Sequence, residues 1–534
     1  MDLNMKSTSP RRKNDIRSVW MLTREYQGVA GAGGVKDVSR DLAESLGKAG
    51  LEVRVIMPCY GFISPKEAGF ARIAPRFEVD MDYQNEARRE AVGFWHKKES
   101  GVEIVLVETP RFEEKLGVYT YTEREEHLDP SHKKGTGHYD YFAMNILLQK
   151  AALSLALWTG KRPDVFHCQD GHSAVLPAMM REMDGVRHYF RETGAVVTVH
   201  NAGIGYHQDV ADLPFANAIT GLPRRAIYSS LLNGSFDPFL AGANYASINT
   251  VSENYAAELQ NTEMDALTGW LGHALKDRGV VLEGITNGIN PDTFDPTAPE
   301  RLGLPAAFDP LQGDLEGKGV CRRHLIDMLQ PARLGSVQLH GHLDLTVDQP
   351  LIVVISRLTE QKGIDVLAQA LEGLVADERA FQVVILGAGT QEIEAHLTVL
   401  AEHPAYSGRI AVLLGYDTDL ANLLFAAGDF LVVPSRYEPC GLTDLMAQLM
   451  GNMPIVRRTG GLVKVRDGFN GFSYDEHSPV SLANAMRRAL KTYTESPDVL
   501  KQMQVNAIRH IHANYAWDKV KDRYIALYKK ASRI

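Results

Sequence analysis

The sequence predicts an α/β protein with two doubly wound parallel-sheet domains facing each other across a cleft. Three observations predict it. The chain has 534 residues, far more than one hydrophobic core usually holds. Nearly continuous apolar runs alternate with helix-like periodic stretches, the mark of parallel strands covered on both faces. The pattern also restarts midway, at LIVVIS (351–356).

Taken in order, the first half has strand-like runs at 17–23 (RSVWMLT), 52–58 (EVRVIMP), 103–108 (EIVLVE), 164–168 (DVFHC), 195–200 (AVVTVH) and 247–251 (SINTV). Helical stretches lie between them. Val35, Val38, Leu42 and Leu46 fall on one helical face, and Gly50 follows where a left-handed cap suits a helix end. The second half repeats the pattern at 351–356, 382–387 (QVVILG), 410–415 (IAVLLG), 430–435 (FLVVPS) and 454–458 (PIVRR). GITNGINPDTFDPTAP, rich in turn formers, marks the boundary near residue 284. The expected division is a disordered tail at 1–16, an N-terminal domain at 17–284, a C-terminal domain at 285–514 and an amphipathic C-terminal helix within 515–534. Residues 300–350 show no regular pattern and receive no element.

Composition narrows the functional classes. The chain is 45% apolar and 23% charged with a net charge of −9, which argues against a general nucleic-acid or acidic-membrane binder. No uninterrupted apolar run reaches about 18 residues, so no membrane span is expected. MDLNMKSTSPRRKND is basic but has no apolar stretch after it, unlike a secretory signal. Cys59, Cys168, Cys321 and Cys440 are scattered without a CxxC, so neither a zinc site nor a disulfide framework is indicated. A reducing, cytoplasmic setting follows. No feature of the sequence defines an oligomeric state.

In open parallel sheets ligands bind beyond the carboxyl ends of the strands, and five stretches there could carry chemistry. GVAGAGGVKDV (28–38) lets the backbone approach an anion at a helix start; it is not the GxGxxG of nicotinamide binding. In FHCQDGH (166–172), Asp170 and His172 suit a polyol, while taken alone the stretch favours Asp170 as a helix cap over SAVLPAMM, and His167 reads as structural. TVHNAGIGYHQ (198–208) puts His200 and Asn201 at a strand end, and the histidines nearby lack metal-ligand spacing. SRLTEQKG (356–363) supplies Arg357 and Lys362, two cations suited to a departing diphosphate. PSRYEPCGLTDL (434–445) places Glu438 after a strand and before a helix, as a sugar-facing carboxylate or a helix cap, and RRTGGL (457–462) adds a second Gly-Gly turn.

In this order GGVKDV, DVFHCQDGH, TVHNAG, TVSENYAAEL, GITNGIN, SRLTEQKG, LGAG, PSRYEPCGLTDL and RRTGGL resemble the bacterial glycogen synthase and plant starch synthase family over roughly residues 17–530. The resemblance implies a GT-B fold of two Rossmann-like domains. It also implies transfer of glucose from ADP-glucose, or alternatively UDP-glucose, to the non-reducing 4-OH of an α-1,4-glucan, with retention and without a metal or other cofactor. The implied partners are the nucleotide sugar and a glycogen or maltooligosaccharide acceptor, with no nucleic acid and no membrane. The final helix is expected to return to the N-terminal domain.

By the same resemblance Arg357 and Lys362 bind the donor diphosphate, Glu438 is the essential glutamate near the donor sugar, and Cys440, Gly441, Leu442 and Thr443 complete its motif and the phosphate seat. His200 and Asp170 are catalytic-site residues, Asn287 is a sugar-side residue, and Gly33, Gly34 and Asp37 belong to the glycine-rich donor loop. The chain departs from the family where Gly31-Ala32 replaces Lys-Thr, where HDWH reads QDGH, and where Val463-Lys464-Val465 follows the second Gly-Gly turn. The DNxxRF stretch is largely lost around Asp140-Tyr141. The altered loop and QDGH motivate one alternative, a related retaining transferase with another donor or smaller acceptor. A second alternative is a weakly active regulatory paralogue, against which intact Glu438, Arg357, Lys362 and His200 argue.

Overall fold

The computed structural model describes residues 15–329, 334–335, 337–344, 349–378 and 380–533. The tail expected over 1–16 therefore lies, through residue 14, outside the described residues. Two compact units form. One comprises the chain up to Val251, Ala256–Ile285 and the chain from Val520 onward; the other comprises Ser252–Tyr255 and Thr286–Lys519.

Among the described residues the first unit is built on a nine-stranded sheet. Its order is Glu283–Gly284, Ser247–Thr250, Gly194–Val199, Val165–Gln169, Ser18–Leu22, Glu52–Pro58, Val102–Glu108, Arg89–Glu99 and Ala71–Asp80. The first seven pair in parallel and the last two antiparallel. Val165–Gln169 and Gly194–Val199 are buried throughout, as near-continuous apolar runs require when helices cover both faces. The helix Val35–Lys48 buries Val38, Leu42 and Leu46, and Gly50 follows at φ +92.

The second unit carries a seven-stranded sheet among the described residues: Gln338–Leu343, Arg409–Leu414, Gln382–Gly387, Leu351–Ile355, Phe430–Val433, Met453–Arg457 and Phe472–Tyr474. Gln338–Leu343 pairs antiparallel and the remainder in parallel. Part of the stretch left unassigned by sequence is thus an edge strand, preceded by the helix Glu316–Met328. Two apolar layers, one on each face, sandwich this sheet.

Each sheet changes winding direction at one strand. Ser18–Leu22 lies between Val165–Gln169 and Glu52–Pro58, and Leu351–Ile355 lies between Gln382–Gly387 and Phe430–Val433. The loops leaving such neighbours diverge and open a crevice at the carboxyl edge. In the first unit those loops carry the glycine-rich segment and Asp170; in the second they carry Lys362 and Glu438.

Tyr141–Thr159 is one helix long and apolar enough to cross a membrane by length and composition, and 78% of its most apolar window is buried. Sequence reading counted no such run because Asn145, Gln149 and Lys150 interrupt it. All three are buried, and Lys150 donates to the Asp80 carbonyl at 2.7 Å. The last helix, Trp517–Ala531, buries Tyr524 and Tyr528 completely. Tyr528 OH lies 2.9 Å from His167 Nδ1, and Arg523 donates to the Gly284 carbonyl at 2.6 Å.

Candidate active site

In the C-terminal unit the segment leaving Leu351–Ile355 makes a single 3-10 turn, Glu360–Lys362, and stops at Gly363. A side chain there would be strained at φ +69, and its Cβ would sit 2.1 Å from the Pro434 carbonyl oxygen. The glycine lets this segment lie against the end of the neighbouring strand. Arg436 N–H donates to the Gln361 carbonyl at 2.9 Å. The consequence is a contact between residues 76 apart in sequence: Lys362 Nζ donates to Glu438 Oε2 at 2.6 Å. The same oxygen accepts from Ser435 Oγ at 2.9 Å.

Glu438 and Ser435 are buried, and the Lys362 side chain is 19% exposed. Burial acts to raise the Glu438 carboxyl. The charge and hydrogen bond of Lys362, with Ser435 and the Lys464 charge, outweigh it and hold the group below the usual carboxylate range. An ionised carboxylate thus stands at the sheet's carboxyl edge. It does not cap the following helix, Thr443–Leu449, whose N-cap Leu442 makes no side-chain bond.

Arg357 reaches the same loop from its other end. It is exposed and donates to Gln361 Oε1 at 3.2 Å rather than to Glu438. Cys440 is buried and accepts a backbone N–H from Asn287, which places the Asn-Gly-Ile turn beside the Glu-Pro-Cys-Gly turn. The Asn287 Oδ1 atom is itself buried without a partner among the described residues. Gly288 lies flat on Trp517, where a Cβ would be 2.6 Å from the ring.

In the N-terminal unit the glycine-rich loop closes on its own chain. Glu25 Oε2 accepts from Ala32 N–H at 2.6 Å and Gly33 N–H at 2.7 Å, and Oε1 accepts from Tyr119 OH at 2.6 Å. The anion expected on this loop is therefore matched by a buried internal carboxylate. Gly34 leads into the helix without a side-chain cap, and Asp37 Oδ2 accepts from Lys36 Nζ at 2.6 Å. The Lys36 stem crosses the space a side chain at residue 31 would take, its Cδ 2.3 Å from a Cβ built on Gly31.

Asp170 and His200 are brought together. Asp170 sits in the left-handed region at φ +57, and its Oδ1 accepts from His200 N–H at 2.7 Å. It holds a neighbouring strand end and caps no helix, which overturns the capping alternative. Burial pushes its carboxyl up to about 7, against the His200 and Asn201 backbone bonds that lower it. His200 Nε2 donates to Gln169 Oε1 at 2.6 Å. Burial lowers the imidazole to about 4, so the ring is neutral with Nδ1 as its acceptor. Behind it Tyr528 OH donates to His167 Nδ1, His167 Nε2 donates to Thr198 Oγ1, and Thr198 Oγ1 donates to Asn249 Oδ1. His167 is structural, as its place within a strand pattern suggests.

The Asp170 shift has a stability consequence. A carboxyl whose folded pKa lies above its unfolded value favours folding at low pH and loses that contribution as pH rises through the folded pKa. Asn keeps the left-handed backbone and an acceptor oxygen without titrating. Asp170→Asn should therefore gain in melting temperature over the unmodified protein as pH is raised from 5 to 8. A constant difference across that range would show that Asp170 does not titrate there.

Sequence reasoning missed Glu25, Tyr119 and Ser435, and it noted Gln169 and Lys464 as departures from the family without giving them a role. A carboxylate just after the first strand and a lysine just after a Gly-Gly turn were the available signals for two of them.

Comparison with known proteins joins these two groups of residues to a family. Residues 18–273 match the family described as starch synthase catalytic domain, and residues 349–492 match glycosyl transferases group 1. A glycogen synthase from Syntrophotalea carbinolica is 30% identical over 528 residues, covering 96% of this chain and 99% of that protein. One from Anaeromyxobacter dehalogenans is 31% identical over 510 residues, covering 93% and 96%. Among solved structures, the catalytic domain of starch synthase IV from Arabidopsis thaliana bound to ADP and acarbose superposes with a TM-score of 0.79 at 23% identity, covering 97% of this chain and all of that one. The fold is GT-B, and the chain belongs to the glycogen synthase family of glycosyltransferases.

Proposed function

We propose that this protein is a glycogen (starch) synthase that transfers glucose from ADP-glucose to the non-reducing 4-OH of an α-1,4-glucan with retention of configuration. The observation that carries the reading is the Lys362–Glu438 pair, a cation and an ionised carboxylate 2.6 Å apart at the sheet's switch in direction. Arg357 and Lys362 bind the donor diphosphate and stabilise it as it departs. An ammonium has three donors and Glu438 takes one, so Lys362 can ground a phosphate oxygen while holding the carboxylate. Glu438 stabilises the oxocarbenium-like glucosyl group. The acceptor hydroxyl attacks the face the diphosphate leaves, and a departing phosphate oxygen takes its proton.

Cys440, Gly441, Leu442 and Thr443 form the turn against the phosphate, and Asn287 offers its unpaired oxygen to the sugar. Gly33, Gly34 and Asp37 line the donor loop, whose shape Glu25 sets. Lys36 supplies the cation that residue 31 lacks. His200 and Asp170 contact the sugar or acceptor. No metal ion is required, because the two basic side chains carry the diphosphate charge. The four cysteines are buried and unbridged, which fits a reducing cytoplasm.

The test is proton NMR of maltoheptaose incubated with the protein and ADP-glucose. New α-1,4 anomeric signal should grow in step with ADP. A β-linked product, or ADP released with free glucose alone, would overturn the reading.

Arg357 gives a second check. Arg357→Ala should lower turnover on the order of 10²–10³, as loss of a transition-state charge contact does. The side chain is exposed with one neutral partner, so stability should change by no more than about 0.5 kcal/mol. Unchanged turnover would remove Arg357 from the diphosphate site.

A further inference from the structure

Lys464 is a buried cation that the mechanism above does not use. Its side chain is 4% exposed, and that of Asp444 beside it is 0% exposed. The ammonium donates to the carbonyl oxygens of Cys440 at 2.7 Å, Gly441 at 2.8 Å and Gly461 at 3.0 Å. Asp444 Oδ1 lies 3.1 Å away. Three carbonyls use all three ammonium donors, and the carboxylate supplies the countercharge.

Those carbonyls belong to two turns. One leaves the strand Phe430–Val433 and carries Glu438; the other leaves Met453–Arg457 and contains Gly460 and Gly461. The turns touch directly: Gly461 N–H donates to the Glu438 carbonyl at 2.9 Å. A Cβ on Gly460 would stand 1.8 Å from the Glu438 carbonyl oxygen, and one on Gly461 would stand 1.9 Å from that of Cys440. Carbonyl oxygens gathered out of water repel one another and remain unpaired unless a donor stands among them. At this separation the two turns need the ammonium.

We propose that Lys464, with Asp444 as its counter-ion, is a positioning residue for Glu438: it clamps the Glu438–Gly441 turn onto the Gly460–Gly461 turn and so fixes the carboxylate against Lys362. The inference rests on the reading of Glu438 as the sugar-facing carboxylate. Lys464 acts through the main chain and touches no substrate. Its effect on rate follows from geometry, since displacement of a reacting group by about 1 Å is enough to cost about 100-fold.

Two variants separate positioning from simple stability. Lys464→Met keeps the length of the side chain but leaves Asp444 buried and unpaired, so loss of stability is expected from that alone. The Asp444→Asn/Lys464→Met double variant removes the unpaired charge. It should recover melting temperature relative to Lys464→Met yet keep kcat lower by about tenfold or more, with the KM for ADP-glucose within about twofold. A double variant with the original kcat would overturn the proposal, as would a loss confined to KM.

Amide hydrogen exchange provides a readout independent of activity. Exchange across residues 436–443 should accelerate in the double variant, and unchanged exchange there would overturn the clamp even if activity fell. If the unmodified protein transfers no glucose while exchange accelerates as expected, the functional reading fails and the clamp stands.

Discussion

Glu438→Ala should reduce glucosyl transfer on the order of 10³ or more while the protein stays folded, because it removes the carboxylate that faces developing positive charge. The structure separates that loss from a packing defect. The alanine leaves Lys362 and Ser435 without their acceptor. Lys362 is 19% exposed and can turn to water. Ser435 is fully buried, and its orphaned hydroxyl is expected to cost about 1–3 kcal/mol. Glu438→Gln isolates the charge. Its amide oxygen can still accept from both partners, so stability should lie close to that of the unmodified protein, and turnover should still fall on the order of 10²–10³. Initial rates and thermal melts on both variants make the check. Activity of the glutamine variant within tenfold of the original would remove charge stabilisation from the role of Glu438.

Lys362→Ala carries the second large effect. The lysine serves a diphosphate and Glu438 together, so its loss should lower turnover on the order of 10²–10³ and also disturb the carboxylate. Glu438 would then face Ser435, the Lys464 charge and buried Asp444 without its closest cation. Burial, no longer outweighed by Lys362, would raise its carboxyl. The sign is definite. Glu438 is held low in the native protein, so its contribution to stability is present above its unfolded pKa and is lost only as pH falls through the lower folded value. Removing Lys362 moves the acid limb of the pH–rate profile to higher pH, and Lys362→Arg should move it back part of the way. An unchanged acid limb with normal turnover would dissociate Lys362 from both roles.

The elements legible in the sequence were those whose chemistry is uniform along their length. Leu351–Ile355 and Gln382–Gly387 are buried at every position, and their apolar runs announce this. Arg89–Glu99 has exposed, charged ends around a short buried centre, Val92–Phe94, and it pairs antiparallel on both sides next to the sheet edge. REAVGFWHKKE gives little strand signal for that reason. QLHGHL, with a glycine and two histidines, forms an edge strand whose stability comes from its neighbour Arg409–Leu414 rather than from its own composition.

The candidate site divides in the same way. Glu438, Lys362, Arg357, Asp170 and His200 could be picked out because each follows a strand, which is where parallel sheets present ligands. The bond between Lys362 and Glu438 depends on two strands being neighbours in the sheet, and periodicity along the chain does not carry that. Lys464 stands in the sequence only as a departure after the second Gly-Gly turn, until the fold gathers three carbonyls around it. Glu25 reads as one acid in REY until the glycine loop turns back on it.

Incorporation of labelled glucose from ADP-glucose into glycogen, measured on the unmodified protein and on Glu438→Ala side by side, tests the central claim most directly. The account predicts steady incorporation by the former, released as maltose by an exo-acting α-1,4-glucanase, and none by the latter despite a native melting transition. Equal incorporation by the two proteins would contradict it.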